Sequence, residues 1–195
     1  DVLIAINRKK SKHPVNQLIQ KIQKEGFQGT NIDLVYGLPL QTVSSFKDTI
    51  DQAIALNVDR IVTFSYAHVP SILPRQKILE RIGFPSIEEK AEMYDIASKK
   101  MIKSGYISIG MDHFAKPNDE LSIALKKRTL HRNFQGYCTL ANTGQVYGFG
   151  TSSISQLTSS YSQNIKNTVQ YIKAIEKDNL AIFRGYVLSN DEKIV

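Results

Sequence analysis

Between residues 31 and 66 the order of elements leaves few folds open. Asn31–Tyr36 is a strand-like run, closed by Gly37-Leu38-Pro39, where proline cannot donate to a ladder. Phe46, Ile50, Ala53 and Ile54 then recur at helical spacing, and Arg60–Tyr66 is strand-like again. Strand, helix and strand on short connections call for parallel pairing through a right-handed crossover. The alternation extends in both directions. Pro14 suits a first helical position ahead of Val15, Leu18, Ile19 and Ile22, and Gly26 can end that helix. Ser86 and Glu89 have capping-box spacing, Lys99, Lys100 and Lys103 lie where a helix dipole favours cations, and Gly105 is a natural stop. Tyr106–Gly110 resumes as a strand, Ile165, Val169, Ile172 and Ile175 mark a late helix, and Ala181–Leu188 forms a closing strand. The expected class is α/β, a barrel-like or open parallel sheet with functional groups at the carboxyl ends of its strands.

With 195 residues, 42% of them apolar, the chain can build one sizeable core, and residues 1–195 are expected to form a single domain. No apolar run nears the roughly 18 residues of a membrane span, and no secretory signal is visible. Asp1 is not an initiator methionine, which leads us to expect a fragment or a processed chain. The lone Cys138 excludes an intrachain disulfide and a self-contained cysteine metal site, and it fits a reducing, cytoplasmic location. A net charge of +7 would suit an acidic partner. Many lysines, however, fall on apparent helix faces, such as Lys21, Lys24, Lys166 and Lys173, where solvation accounts for them. The one dense basic run, Arg8-Lys9-Lys10 with Lys12, has no interleaved aromatics, so nucleic-acid binding is not expected.

Chemistry-bearing residues gather at the strand ends and late in the chain. Asp33 lies between Ile32 and Leu34 in a strand expected to be covered on both faces. A carboxylate there needs hydrogen-bond donors, which ribose hydroxyls, a backbone amide or an arginine could each supply. Tyr66 and His68 could stack, bind an anion or serve only local structure, and Ala67 between them would let a ligand approach the backbone. Asp112 and His113 suggest a pair, yet neighbours in a regular strand point to opposite faces, and with His131 they match no compact metal motif. No serine sits in a nucleophile elbow. In His131–Tyr137, Arg132 could clamp a carboxylate, Gln135 could position a reactive ligand, and Phe134 and Tyr137 could wall it. Gly148-Phe-Gly lacks both the dinucleotide pattern and the P-loop lysine, which leaves close backbone approach as its use.

Four segments occur in order: Asn31-Ile-Asp-Leu-Val-Tyr-Gly-Leu-Pro39, Phe64-Ser-Tyr-Ala-His-Val-Pro70, Gly110-Met-Asp-His-Phe-Ala115 and His131-Arg-Asn-Phe-Gln-Gly-Tyr137. Together they resemble oxygen-independent coproporphyrinogen III oxidase, a radical S-adenosylmethionine family of haem biosynthesis. The first segment alone marks only the wider group of radical enzymes. The third and fourth are more discriminating, since the related haem chaperones typically differ there. The resemblance implies the second part of a partial (βα) barrel with family-specific C-terminal elements. It implies oxidative decarboxylation of two propionates of coproporphyrinogen III to vinyl groups, giving protoporphyrinogen IX. In that chemistry a reduced [4Fe–4S] cluster, fed by an electron donor, cleaves S-adenosylmethionine, and the deoxyadenosyl radical abstracts hydrogen; two S-adenosylmethionine molecules are expected.

By the same resemblance Asp33, Ala67 and Ile154 match cofactor contacts, and Phe134 and Gln135 match active-site residues. Tyr66, His68, His113 and Arg132 are substrate-side candidates. The family's cluster is held by cysteines in a C-x-x-x-C-x-x-C loop, and a chain with Cys138 alone cannot hold it. The isolated chain is therefore expected to lack turnover and, as a truncated barrel, to self-associate. The alternative is a non-catalytic tetrapyrrole-binding or haem-trafficking module.

Overall fold

The computed structural model describes residues 1–27, 29–134, 136–139 and 145–194. They group into two compact units, Asp1–Thr129 and Leu130–Val195.

The first unit begins with α1 (Val2–Ala5) and α2 (Val15–Lys24), the latter starting directly after Pro14. It continues through β1 (Asn31–Tyr36), α3 (Val43–Ala55), β2 (Arg60–Ser65), a short turn of helix α4 (Lys77–Glu80), α5 (Ile87–Lys103), β3 (Ile107–Gly110), β4 (His113–Ala115) and α6 (Glu120–Lys127). The strands form one sheet in the order β1-β2-β4-β3. β1 and β2 run parallel across α3, as the strand–helix–strand order required. The sheet is nevertheless mixed, because β4 runs antiparallel to both β2 and β3. A tight turn at Met111 and Asp112, with Met111 at φ 48°, sends β4 back between its neighbours. The cap on α5 is the predicted one: Ser86 Oγ accepts from Glu89 N at 3.1 Å, and Glu89 accepts from Ser86 N at 2.7 Å. Gly105 follows at φ 89°.

The main hydrophobic cluster lies on one side of this sheet. Phe46, Ile50 and Ala53 of α3 pack with Met93, Ala97 and Met101 of α5 against Ile61 and Phe114, with Ile32, Leu34 and Tyr36 at the edge. Burial along β1 alternates, so Asn31, Asp33 and Val35 face outward. The expectation that both faces of β1 are covered is thus corrected. Asn31, Asp33 and Val35 are exposed, and β1 is the edge strand.

Polar groups close the amino-terminal end of the sheet. Thr30 donates to the Asp59 carboxylate through N at 2.8 Å and through Oγ1 at 3.0 Å, and the Lys116 ammonium lies 3.6 Å away. Burial acts to raise the pKa of Asp59, but the Thr30 hydrogen bonds and Lys116 outweigh it and hold the carboxyl below its ordinary value. Arg60 reaches Asp119 and Glu120 at the start of α6, each at 2.8 Å.

The second unit holds the hairpin β5 (Leu130–Asn133) and β6 (Gly136–Thr139), and the antiparallel sheet β7 (Ile154–Gln156), β8 (Ser160–Asn164) and β9 (Ile182–Val187). α7 (Thr168–Ile175) connects β8 to β9. The predicted late helix and closing strand are both present; the hairpin, β7, β8 and α6 carried no clear periodicity.

Replacing Phe46, which is fully buried, by alanine should lower unfolding stability by about 3–5 kcal/mol, read from urea melts by circular dichroism. Asp59 has a depressed folded pKa, so its contribution is complete above the ordinary value of 3.8 and is lost as pH falls through the lower folded value. The gap in Tm between the wild type and Asp59→Asn should therefore be widest near neutral pH and should close below about pH 4.

Candidate functional site

In the first unit, register places two of the sequence candidates in one line. Asp33 is opposite Val62, and Val62 is opposite His113. Residues opposite one another share a face, so Asp33 and His113 stand on the face away from the α3–α5 core, with buried Val62 between them, two strands and roughly 10 Å apart. The Phe64 ring meets the His113 imidazole edge-on, with centroids 6.4 Å apart. Asp33 is exposed, and its Oδ1 accepts from Asn31 Nδ2 at 2.8 Å.

Asp112 and His113 do meet, against the opposite-face expectation. Asp112 precedes β4 in the tight turn, outside the regular strand, and its carboxylate lies 2.7 Å from His113 Nδ1. The Asp112 carbonyl accepts from Thr63 N at 2.9 Å, fixing the turn to β2.

Tyr66, Ala67 and His68 follow β2 and are bound to the segment 76–84. The Tyr66 ring stacks on Phe84 at 5.7 Å, and the His68 ring lies 4.7 Å from Phe84. His68 Nε2 is 2.9 Å from the Glu80 carboxylate. Gln76 brackets the loop, donating to the Ala67 carbonyl at 3.0 Å and accepting from Val69 N at 2.6 Å. Ala67 itself is exposed. Lys90 lies across Phe84, its ammonium 5.9 Å from the ring centre, and its stem fills the space a side chain at Gly37 would need, 3.0 Å from the Cβ position. Gly37 has φ 80°.

In the second unit a cavity of about 350 Å³ is lined by Phe134, Ile154, Tyr161, Gln163, Arg184 and Tyr186, among others. It brings together Phe134 and Ile154, residues the resemblance marks as active-site and cofactor contacts. Arg132 is on β5, with its guanidinium over the Tyr137 ring at 5.8 Å, and does not line this cavity. Gln135 lies outside the described residues. Tyr161 and Gln163 were not anticipated, because Ser160–Asn164 offers no apolar alternation to mark a strand; Arg184 and Tyr186 lie on the expected closing strand but were not singled out there. The Arg-Gly pair at 184–185 was the only available signal.

The glycines of Gly148-Phe-Gly serve the fold itself. A Cβ on Gly148 would lie 2.7 Å from the Ile154 carbonyl oxygen, so the close approach is to β7. Asn164 Nδ2 holds this loop by donating to the carbonyls of Gly148 and Gly150 at 3.0 and 2.9 Å.

A solved structure titled as coproporphyrinogen III oxidase from Escherichia coli, a radical SAM enzyme, matches 99% of this chain with a TM-score of 0.92 and 39% identity. The match covers 44% of that chain, so the mixed α/β fold corresponds to part of a radical SAM protein. Among curated proteins, oxygen-independent coproporphyrinogen III oxidase of Escherichia coli K12 is 40% identical over 189 residues, 97% of this chain. The proteins of the same name from Synechocystis and Thermostichus vulcanus are 40% and 41% identical, over 97% and 89% of the chain. The likeness carried by the four motifs therefore holds across nearly the whole chain. The chain spans 41% of the length of the Escherichia coli and Synechocystis relatives. No family model matches it.

Gly148→Ala should force β7 away from its loop and lower stability by about 1–3 kcal/mol, with loss of protection at the Gln156 and Val146 amides in hydrogen exchange. Unchanged protection would show that the loop yields without disturbing β7.

Proposed function

We propose that this chain is part of an enzyme that decarboxylates coproporphyrinogen III to protoporphyrinogen IX without oxygen, in the cytoplasm. The observation that carries this is the 39% identity to a radical SAM coproporphyrinogen III oxidase structure at a TM-score of 0.92. The two units, in this proposal, belong to one catalytic domain. Among the described residues no helix is long and apolar enough to cross a membrane.

The residues fit S-adenosylmethionine in kind. Asp33 offers an exposed carboxylate for ribose hydroxyls, Ala67 an unobstructed backbone, and Ile154 an apolar contact beside Phe134. When bound, that cofactor supplies the hydrogen-abstracting chemistry; the protein orients reactants and excludes water. Asp33 fixes the ligand's sugar, Phe134 and Ile154 wall the cavity, and Gln135 positions the reacting groups. His113, aligned by Asp112, and Arg132 are cationic or donor groups suited to propionates. Tyr66 and His68 act from the loop after β2, which Gln76 keeps in shape. The number of S-adenosylmethionine molecules we take to be two.

The residues do not fit the [4Fe–4S] cluster. Cys138 is the single cysteine, and no group of three metal-ligating side chains is assembled among the described residues. The cluster is thus held outside this chain, and the electron donor that reduces it acts there. Exposed apolar residues on the edge strand β9, such as Phe183 and Val187, support self-association of the chain on its own.

Two assays test the proposal. Under anaerobic conditions with reductant, S-adenosylmethionine and coproporphyrinogen III, the chain alone should give no protoporphyrinogen. Replacing the matched segment of the Escherichia coli oxidase by this chain should give a chimera that forms protoporphyrinogen IX. A folded, cluster-loaded chimera without turnover, particularly one binding haem in visible titrations, would refute the oxidase proposal in favour of a trafficking module.

A further inference from the structure

The cavity of the second unit contains a cation that neither the motifs nor the proposed mechanism uses. Strand register places Ile154, Gln163 and Arg184 in one row across β7, β8 and β9, with Gln156, Tyr161 and Tyr186 in the next row on the same face. An apolar contact, an amide and a guanidinium thus stand side by side. Arg184 Nε donates to Gln163 Oε1 at 2.9 Å. The Gln163 amide is fixed from its other end, since Nε2 donates to the Ser152 carbonyl at 3.2 Å.

With Nε committed, the outer edge of the guanidinium, Nη1 and Nη2, has the fork geometry that grips both oxygens of a carboxylate. Among the described residues no carboxylate pairs with Arg184. Glu192, one of two acids on the turn after β9, is engaged instead by the Tyr186 hydroxyl at 2.6 Å and by Ser189. Phe134, Ile154 and Tyr161 line the same cavity, and about 350 Å³ accommodates a carboxylate on an apolar or ring-bearing body.

We propose that this cavity is a carboxylate subsite, in which Arg184, positioned by Gln163, holds a carboxylate whose apolar body lies against Phe134 and Ile154. Naming its source rests on the oxidase proposal: either a propionate of the tetrapyrrole or the amino-acid carboxylate of S-adenosylmethionine supplies that chemistry.

The 195-residue chain is titrated with coproporphyrin III, its tetramethyl ester and S-adenosylmethionine, as wild type, Arg184→Gln and Arg184→Lys. If a propionate binds here, Arg184→Gln weakens coproporphyrin III about tenfold, Arg184→Lys weakens it less, and the ester is unaffected. If the source is S-adenosylmethionine, the weakening moves to that titration. Equal affinities of wild type and Arg184→Gln for both acids, or no binding of either by the wild type, overturn the subsite. The same substitution in the chimera separates the two ideas. Turnover with an unchanged KM for both coproporphyrinogen III and S-adenosylmethionine overturns the subsite and leaves the oxidase proposal standing. A chimera without turnover, beside a chain whose carboxylate binding still depends on Arg184, does the reverse.

Discussion

Packing of α3 and α5 on one face of the four-stranded sheet governs the first unit. α3 and α5 press Phe46, Ile50, Met93 and Met101 onto the face that carries Ile61 and Phe114, and this packing supplies the apolar stabilisation. Because strand side chains alternate, fixing Ile32, Leu34 and Ile61 inward fixes Asp33, Val62 and His113 outward. The outward placement of Asp33 and His113 is therefore a consequence of the core. A one-residue slip of β1 would exchange the two sets.

How much was legible follows from where periodicity was strong. Asn31–Tyr36, the α3 stripe and the Ser86–Glu89 cap could be read because apolar spacing and capping chemistry act locally. The error at Asp33 was avoidable: Asn31, Asp33 and Val35 alternate with Ile32, Leu34 and Tyr36, the signature of a half-covered strand. Asp112 and His113 were misjudged for a different reason. Pairing of Gly110 with His113 and the positive φ of Met111 place a turn between β3 and β4, and Gly110 and Asp112, both turn residues, were the sequence signal for it.

In the second unit the sequence offered less. β8 reads Ser-Tyr-Ser-Gln-Asn, with no apolar alternation, and its partners are set by pairing with β7 and β9. Phe134 and Ile154 came from a resemblance, and the structure adds the neighbours that periodicity hid, Gln163 and Arg184 among them. His68 illustrates the opposite case. A residue that attracted notice as chemistry is held by Glu80 and Phe84, so much of its role is to shape the loop after β2.

The contact between Gly37 and Lys90 has a wider consequence. The Lys90 stem occupies the space beside Gly37 after β1, while its ammonium lies over Phe84, on which Tyr66 and His68 also rest. The loops that leave neighbouring strands are thereby geared together through one side chain of α5. Their relative placement is settled when the chain folds, so a ligand touching both would encounter a frame already set and lose less conformational freedom in binding. A bulkier residue at position 37 would be felt first on the far side of that gear, at the aromatic cluster after β2.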